Sequence, residues 1–313
     1  MQKFLIIDHQ PALFAEGLRK LGFQVDERPG ITYTELYDVI ENYVGLVISS
    51  RLRVDRTFIN LAANLRYILR PGSGLENVDL SYAEQMGITC LNSPEGNRDA
   101  VAEHAIAMLL HLFNNLSRAD REVRFGLWLR ENNRGIELMG KTVGIIGYGN
   151  TGKALAKKLS GFDVEVLAYD KYKEGLDEYA TDAGSMRAIY EQADVVSLHL
   201  PLTSETFQIA NDAFFRKFRK PIYFINTSRG NILNTSSLIN AIERGAVAGA
   251  CLDVLENEKI YALSAKQQRE FNFLRNSDQV ILTPHIAGWT HASKIKMVET
   301  LLDKFANELI DID

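Results

Sequence analysis

Thr142-Val143-Gly144-Ile145-Ile146-Gly147-Tyr148-Gly149-Asn150-Thr151-Gly152 is an apolar run that ends in three spaced glycines, and Lys153 to Leu159 continues it with helical periodicity. A buried strand, a tight turn and a helix start, in that order, are the setting in which a Gly-x-Gly-x-x-Gly pattern binds a pyrophosphate. The first glycine permits the turn and the second admits backbone close to the phosphates. The third lets the helix pack on the strand, and the helix N-terminus presents oriented N–H donors. A second apolar run, Val164 to Tyr169, ends at Asp170, 18 residues beyond Gly152. A carboxylate there can accept from both ribose hydroxyls and repels a 2′-phosphate, which favours NAD over NADP. Lys171 follows directly and offsets part of that repulsion; the plainer reading of Asp170 is a strand-end turn residue.

Working outward, the same alternation of short Ile- and Val-rich runs with longer amphipathic segments covers most of the chain, as expected of parallel strand-helix-strand units. The later part predicts strands near 142–146, 164–169, 195–199, 222–226, 248–253 and 280–283, six in all. The earlier part predicts strands near 4–7, 45–49, 67–69 and 88–91, with a helix over 11–21 whose Leu13, Phe14, Leu18 and Leu21 share a face. A long helix from about Asp99 to Leu116 opens the second domain. Ser117 to Arg134, with Trp128 among charged residues, reads as an exposed arm that needs a partner surface. The final helix, 293–310, has no sheet of its own left to join and is expected to return to the first unit. The fold class is therefore α/β with two doubly wound parallel-sheet domains: a Rossmann dinucleotide-binding domain (98–286) inserted into a flavodoxin-like substrate domain (1–97 and 287–313). Hinges are placed near Asn97 and Ile286.

Composition narrows the function classes. The 313 residues carry a formal net charge of −5, which argues against a nucleic-acid partner, and 46% hydrophobic content suffices for two cores. No apolar run reaches the roughly 20 residues of a bilayer span, and the start reaches Asp8 too soon for a secretory signal. Cys90 and Cys251 are far apart and the six histidines show no ligand spacing. Neither a disulfide framework nor a metal site is expected, and the reducing cytoplasm is the expected location.

Three ionisable residues stand just beyond strands of the second domain, where parallel sheets place their ligands. Arg229, in Asn226-Thr227-Ser228-Arg229-Gly230, can hold a carboxylate bidentately; by itself it also reads as a surface arginine paired with an acid. His285, in Thr283-Pro284-His285-Ile286-Ala287-Gly288, can exchange a proton near neutral pH or serve as a structural hinge histidine. Glu258 could orient that imidazole, but Glu243 and Glu256 are rivals that residue type alone does not separate.

The glycine motif with Asp170, then Ser197-Leu198-His199-Leu200-Pro201-Leu202-Thr203, Asn226 to Gly230, Leu252-Asp253-Val254 and Thr283 to Gly288 resemble, in order, the motifs of the NAD-dependent D-isomer-specific 2-hydroxyacid dehydrogenases. Gly72-Ser73-Gly74-Leu75-Glu76-Asn77-Val78-Asp79 and Ala102-Glu103-His104 extend the resemblance over nearly the whole chain. It implies Arg229 as substrate anchor, His285 as acid-base and Glu258 as its partner. It also implies Ser73 and Gly74 as backbone donors to a substrate carboxylate, Gly147, Gly149, Asn150, Thr151, Gly152, Asp170, His199 and Pro201 around the cofactor, and Asp253 on the nicotinamide carboxamide. The arm around Trp128 corresponds to the region by which family members pair, so a homodimer through the nucleotide domains is expected. One departure is Lys259, where the family usually has proline, followed by a polar stretch through Asn276. The 29-residue interval from Arg229 suits Glu258 rather than Glu256.

The family includes enzymes for phosphoglycerate, glycerate or hydroxypyruvate, lactate and formate. Arg51, Arg53 and Arg70 flank strand ends of the first domain, where they read a phosphate or stand as solvated charges, and 3-phosphoglycerate/3-phosphohydroxypyruvate is the first expectation. With the chain ending at residue 313, a serine-sensing regulatory domain is not expected. A reading from another class is an NAD(H)-sensing interaction protein like the corepressors that resemble these dehydrogenases.

Overall fold

Strand runs flanked by helices form two wholly parallel sheets in the computed structural model, which describes residues 2–173 and 175–310. The chain divides into two units, 1–98 with 289–313, and 99–288.

The first unit runs β1 (Lys3–Ile6), α1 (Ala12–Lys20), β2 (Gln24–Glu27), α2 (Tyr33–Val39), β3 (Gly45–Val47), α3 (Arg56–Leu61), β4 (Tyr67–Arg70), α4 (Leu80–Gln85) and β5 (Thr89–Asn92). Its strand order, β2-β1-β3-β4-β5, is the flavodoxin-like one. Apolar residues alternate along β1: Leu5 joins the layer with Leu36, Leu46 and Phe58, while Phe4 and Ile6 face the layer of Phe14, Leu18, Val298, Leu301 and Phe305. Those last three come from the C-terminal helix His291–Ile310, so the end of the chain covers one face of the first sheet.

The second unit begins within α5 (Arg98–Phe113) and continues through α6 (Leu116–Arg124), β6 (Thr142–Ile146), α7 (Asn150–Leu159), β7 (Glu165–Tyr169), β8 (Thr181–Asp182), α8 (Met186–Gln192), β9 (Val195–Leu198) and α9 (Asp212–Phe215). It ends with β10 (Ile222–Asn226), α10 (Thr235–Glu243), β11 (Val247–Leu252), α11 (Ala265–Asn276) and β12 (Val280–Leu282); α12 is the His291–Ile310 helix already described. The strand order is β12-β11-β10-β9-β6-β7-β8. The chain builds outward from β6 in one direction, then restarts at β9 on its other side, so the switch point of a Rossmann sheet lies between β6 and β9. Every residue of β6 is buried. Val143 and Ile145 face α5 and α7, while Ile146 faces the layer of Phe215, Phe224 and Leu238. Removing a ring as enclosed as Phe224 costs about 3–5 kcal/mol.

Three elements differ from the sequence expectation. β2 forms although only Val25 among its four residues is apolar, because it is an edge strand paired on one side to β1. β8 adds a seventh strand of two residues at the far edge beyond β7. The stretch expected as an exposed arm is exposed, but its first part is the helix α6, which buries no residue. Asn115, at φ 53°, breaks the helix before it, and local pairs such as Arg124 Nε to Asp120 at 2.8 Å and Arg118 Nε to Asn133 at 3.0 Å support α6.

Candidate active site

The glycine turn is dictated by close approach. Gly147 has φ +93°, and a Cβ there would lie 2.3 Å from the His199 carbonyl oxygen beyond β9. A Cβ on Gly152 would lie 2.2 Å from the Gly147 oxygen. Gly149 differs: a Cβ there would meet no protein atom within 4 Å, yet it caps α7, whose first residues are Asn150 and Thr151. The protein's own packing gives no reason for that glycine, whereas a phosphate drawn to the helix N-terminus does. Asp170, just past β7, curls back over the turn: Oδ2 accepts from the Tyr148 N–H at 2.8 Å and Oδ1 from the Tyr172 N–H at 3.0 Å. Each oxygen keeps a lone pair for a ribose hydroxyl.

His199 is held between β9 and the start of α7. It is buried, one ring nitrogen lies 2.9 Å from the Ser197 hydroxyl and the other 3.0 Å from that of Thr151. Burial pushes its pKa down to about 4, so the ring is neutral and fixes Thr151 at the start of α7. Pro201 is exposed in the following loop, and its carbonyl accepts from the Thr206 hydroxyl at 2.6 Å.

The neighbouring strands β10, β11 and β12 carry the ionisable groups beyond their C-terminal ends. After β10, the fully buried Asn226 organises the turn: its Oδ1 accepts from the Ser228 N–H and hydroxyl at 3.1 and 2.9 Å, and its amide donates to the Arg229 carbonyl at 3.1 Å. Arg229 Nη1 donates to the Ser228 carbonyl at 2.8 Å. Gly230 is required here, because a Cβ would lie 1.9 Å from the Leu255 oxygen.

After β12, His285 adopts φ 56°, an uncommon conformation for a side-chain-bearing residue. Asp253 holds it there: its carbonyl accepts from the His285 N–H at 2.8 Å, and its wholly buried carboxylate accepts from the N–H groups of Ile286 and Ala287 at 2.9 and 2.8 Å. Thr283 also donates to that carboxylate at 2.5 Å, and with its proton so directed it accepts from His104 Nε2 at 3.0 Å. The Asp253 carboxylate thus anchors the His285 loop. His104 and Thr283 complete that anchor; sequence reading gave them no role, and their presence in the matching motifs was the signal available.

His285 Nδ1 lies 3.0 and 3.1 Å from the two Glu258 oxygens. A carboxylate only accepts, so Nδ1 carries the proton and Nε2 is the other, outward nitrogen. Glu256 is engaged elsewhere, accepting from Gln208 Nε2 at 2.9 Å and from the N–H of Thr235, the first residue of α10, at 3.0 Å. Tertiary contacts therefore separate the two glutamates. The hydroxyl of Thr227, given no role in the sequence reading although it stands in the Asn226 to Gly230 motif, is buried without a hydrogen-bond partner. Register pairs Asn226 with Leu252, which places Thr227 beside Asp253 at adjoining strand ends. An orphaned hydroxyl here and the open space at Gly149 both fit a bound dinucleotide.

In the first unit, Ser73 and Gly74 lie in the loop after β4; the Ser73 hydroxyl donates to Asn97 Oδ1 at 2.9 Å, and its carbonyl accepts from Asn92 at 2.6 Å. Arg51 is engaged by the scaffold. Its Nε donates to Asp8 at 2.9 Å, Nη1 to the Ile31 carbonyl and Nη2 to the Ile7 carbonyl, each at 3.0 Å. This clasp, rather than a phosphate, accounts for three of its five N–H groups.

Comparisons with known proteins give the family. The family model for the NAD-binding domain of D-isomer specific 2-hydroxyacid dehydrogenases matches residues 106–287. A D-3-phosphoglycerate dehydrogenase of Archaeoglobus fulgidus is 35% identical over 93% of this chain and 54% of its own length. A hydroxypyruvate reductase of Thermotoga maritima is 33% identical over 88% of each. The crystal structure of a D-lactate dehydrogenase from Aquifex aeolicus, complexed with NAD and lactic acid, superposes with a TM-score of 0.83 at 25% identity, covering 99% of this chain and 96% of that one. The chain spans about half the length of the phosphoglycerate dehydrogenases it matches, 54% and 55% for two of them. A family match across the second unit, with relatives that extend through the first, closes the question of kinship: the chain belongs to the D-isomer specific 2-hydroxyacid dehydrogenases, and its second unit is their NAD-binding domain.

Proposed function

We propose that the protein transfers a hydride between NAD(H) and a small D-2-hydroxy acid or its 2-oxo partner, with 3-phosphoglycerate/3-phosphohydroxypyruvate as the first substrate pair. The observation that carries this reading is the His285–Glu258 pair, held by Asp253 beyond β12, on the same sheet end as Arg229 and the glycine turn. Bound NAD supplies the hydride chemistry. Gly147 to Gly152 and Asp170 would hold its phosphates and ribose, and the unpartnered Thr227 hydroxyl would be available to hydrogen-bond it. Arg229 anchors the substrate carboxylate. In oxidation, neutral His285 takes the hydroxyl proton on Nε2 while Glu258 stabilises the resulting imidazolium. In reduction His285 returns a proton to the new hydroxyl oxygen. Ser73 and Gly74 are proposed as backbone donors to the carboxylate. The clasp on Arg51 weakens its case as a phosphate reader and leaves Arg53, which is exposed, as the stronger candidate.

The runner-up substrates are glyoxylate, hydroxypyruvate and related 2-oxo acids, a choice that the hydroxypyruvate reductase relative keeps open. NADH oxidation measured against phosphohydroxypyruvate, hydroxypyruvate, glyoxylate and pyruvate decides among them. The reading predicts the highest kcat/KM with phosphohydroxypyruvate and a selective loss of that preference in Arg53→Ala. Turnover of none of them, with NADH bound, would favour a dinucleotide sensor.

We further propose a cytoplasmic homodimer paired through the arm, where Val123, Phe125, Leu127 and Trp128 are all exposed, Phe125 and Trp128 at 79% and 77%. No helix among the described residues is long and apolar enough to cross a membrane.

A further inference from the structure

The glycine turn is crossed by a contact that the proposed chemistry does not use. Lys171 and Tyr172 follow β7, while Glu205 lies in the loop after β9, and these strands flank β6 on opposite sides. The Glu205 carboxylate accepts from both the Lys171 ammonium and the Tyr172 hydroxyl. The ammonium also lies 5.3 Å from the centre of the Tyr172 ring. A second lysine of the segment, Lys173, donates to the Tyr148 carbonyl at 2.8 Å within the turn itself.

This arrangement bears on the choice between NAD and NADP. The cation immediately after the ribose-binding carboxylate is the one placed to receive a 2′-phosphate. Here that cation is claimed by a carboxylate from across the turn. We infer that Glu205 is a specificity-determining residue for the coenzyme: by holding Lys171 it denies a 2′-phosphate its counter-charge. The inference rests on the coenzyme site proposed above and assigns its selectivity to a residue outside the glycine motif. Glu205 holds the Lys171 pKa up, and the same pair holds that of Glu205 down, so both stay charged across the neutral range. All three side chains are solvent-exposed, so the effect acts through charge near the ribose and not through folding.

The test is the dissociation constants of NADH and NADPH, measured by titration without substrate, for wild type, Glu205→Gln, and Glu205→Gln combined with Lys171→Met or with Lys173→Met. Glu205→Gln is expected to tighten NADPH roughly fivefold, the size of one freed cation facing a phosphate at an exposed site, while NADH changes by less than about twofold. Adding Lys171→Met should abolish the gain, whereas adding Lys173→Met should leave it. High salt should shrink it, as for any exposed charge pair. An unchanged NADPH to NADH ratio in Glu205→Gln, or a gain that survives Lys171→Met, overturns the inference. A wild type that binds neither dinucleotide would overturn the coenzyme site and this inference together, an outcome distinct from normal NADH binding with no shift.

Discussion

The two ends of the second sheet's functional edge are built by opposite means. Between β6 and β9 the site is shaped by missing side chains: Gly147 and Gly152 are required because backbone atoms come within 2.3 and 2.2 Å of where a Cβ would stand. Beyond β11 and β12 it is shaped by a buried charge, because the Asp253 carboxylate grips the Thr283 hydroxyl and two consecutive backbone N–H groups beside His285. The first end binds by leaving room. The second positions an imidazole that is itself half exposed, at 49%. Coenzyme binding and proton transfer should therefore respond to different substitutions.

The sharpest break is His285→Ala. It should lower kcat by about 10³-fold, within the range for a positioned acid-base group, and leave the NADH dissociation constant within about twofold, since no glycine-turn contact changes. A large loss of NADH affinity would show that the two ends are one device. Asp253→Asn comes next. Its amide would face N–H donors that now meet a carboxylate, so thermal unfolding should report a loss of about 3–4 kcal/mol, together with a fall in kcat.

The glycine-turn end makes its own prediction through pH. His199 titrates near 6.5 in the unfolded chain and near 4 when folded. Between those values the unfolded chain binds more protons, so this contribution is complete above about pH 6.5 and declines on acidification toward pH 4. The decline amounts to about 3 kcal/mol at most. His199→Gln, which does not titrate, should flatten the slope of melting temperature against pH in that window; an equally steep slope would contradict the buried neutral ring. The smallest effect separates the two glutamates. Glu258→Gln should lower kcat about tenfold, while Glu256→Gln, at the start of α10, should alter stability and leave kcat within about twofold.

The same contrast explains what the sequence made legible. The glycine turn could be read from residue types because its requirement is steric and local, and β6 announces itself by an unbroken apolar run. β2 could not, since an edge strand with one apolar residue in four lacks the alternation that marks a half-buried strand. The helix α6 was hidden for a different reason: Leu116, Ala119 and Val123 recur at helical spacing, but the helix buries no residue and its many charges read as an exposed arm. Asp170, Arg229 and His285 were visible as ionisable residues at strand ends. Residue type alone left Glu258 and Glu256 open; the interval from Arg229 in the family resemblance pointed to Glu258, and the contact it makes with His285 across 27 residues sets it apart in the structure. The roles of His104, Thr227 and Glu205 likewise appear only when separate strand ends are brought side by side.

The central claim is direct hydride exchange with a small 2-oxo acid beside His285. NADH bearing deuterium at both C4 positions, incubated with the protein and its best 2-oxo acid, should give the D-2-hydroxy acid with deuterium on C2, and His285→Ala should bind the same coenzyme yet form almost none. Unlabelled product, the L-isomer, or undiminished transfer in His285→Ala would contradict the account.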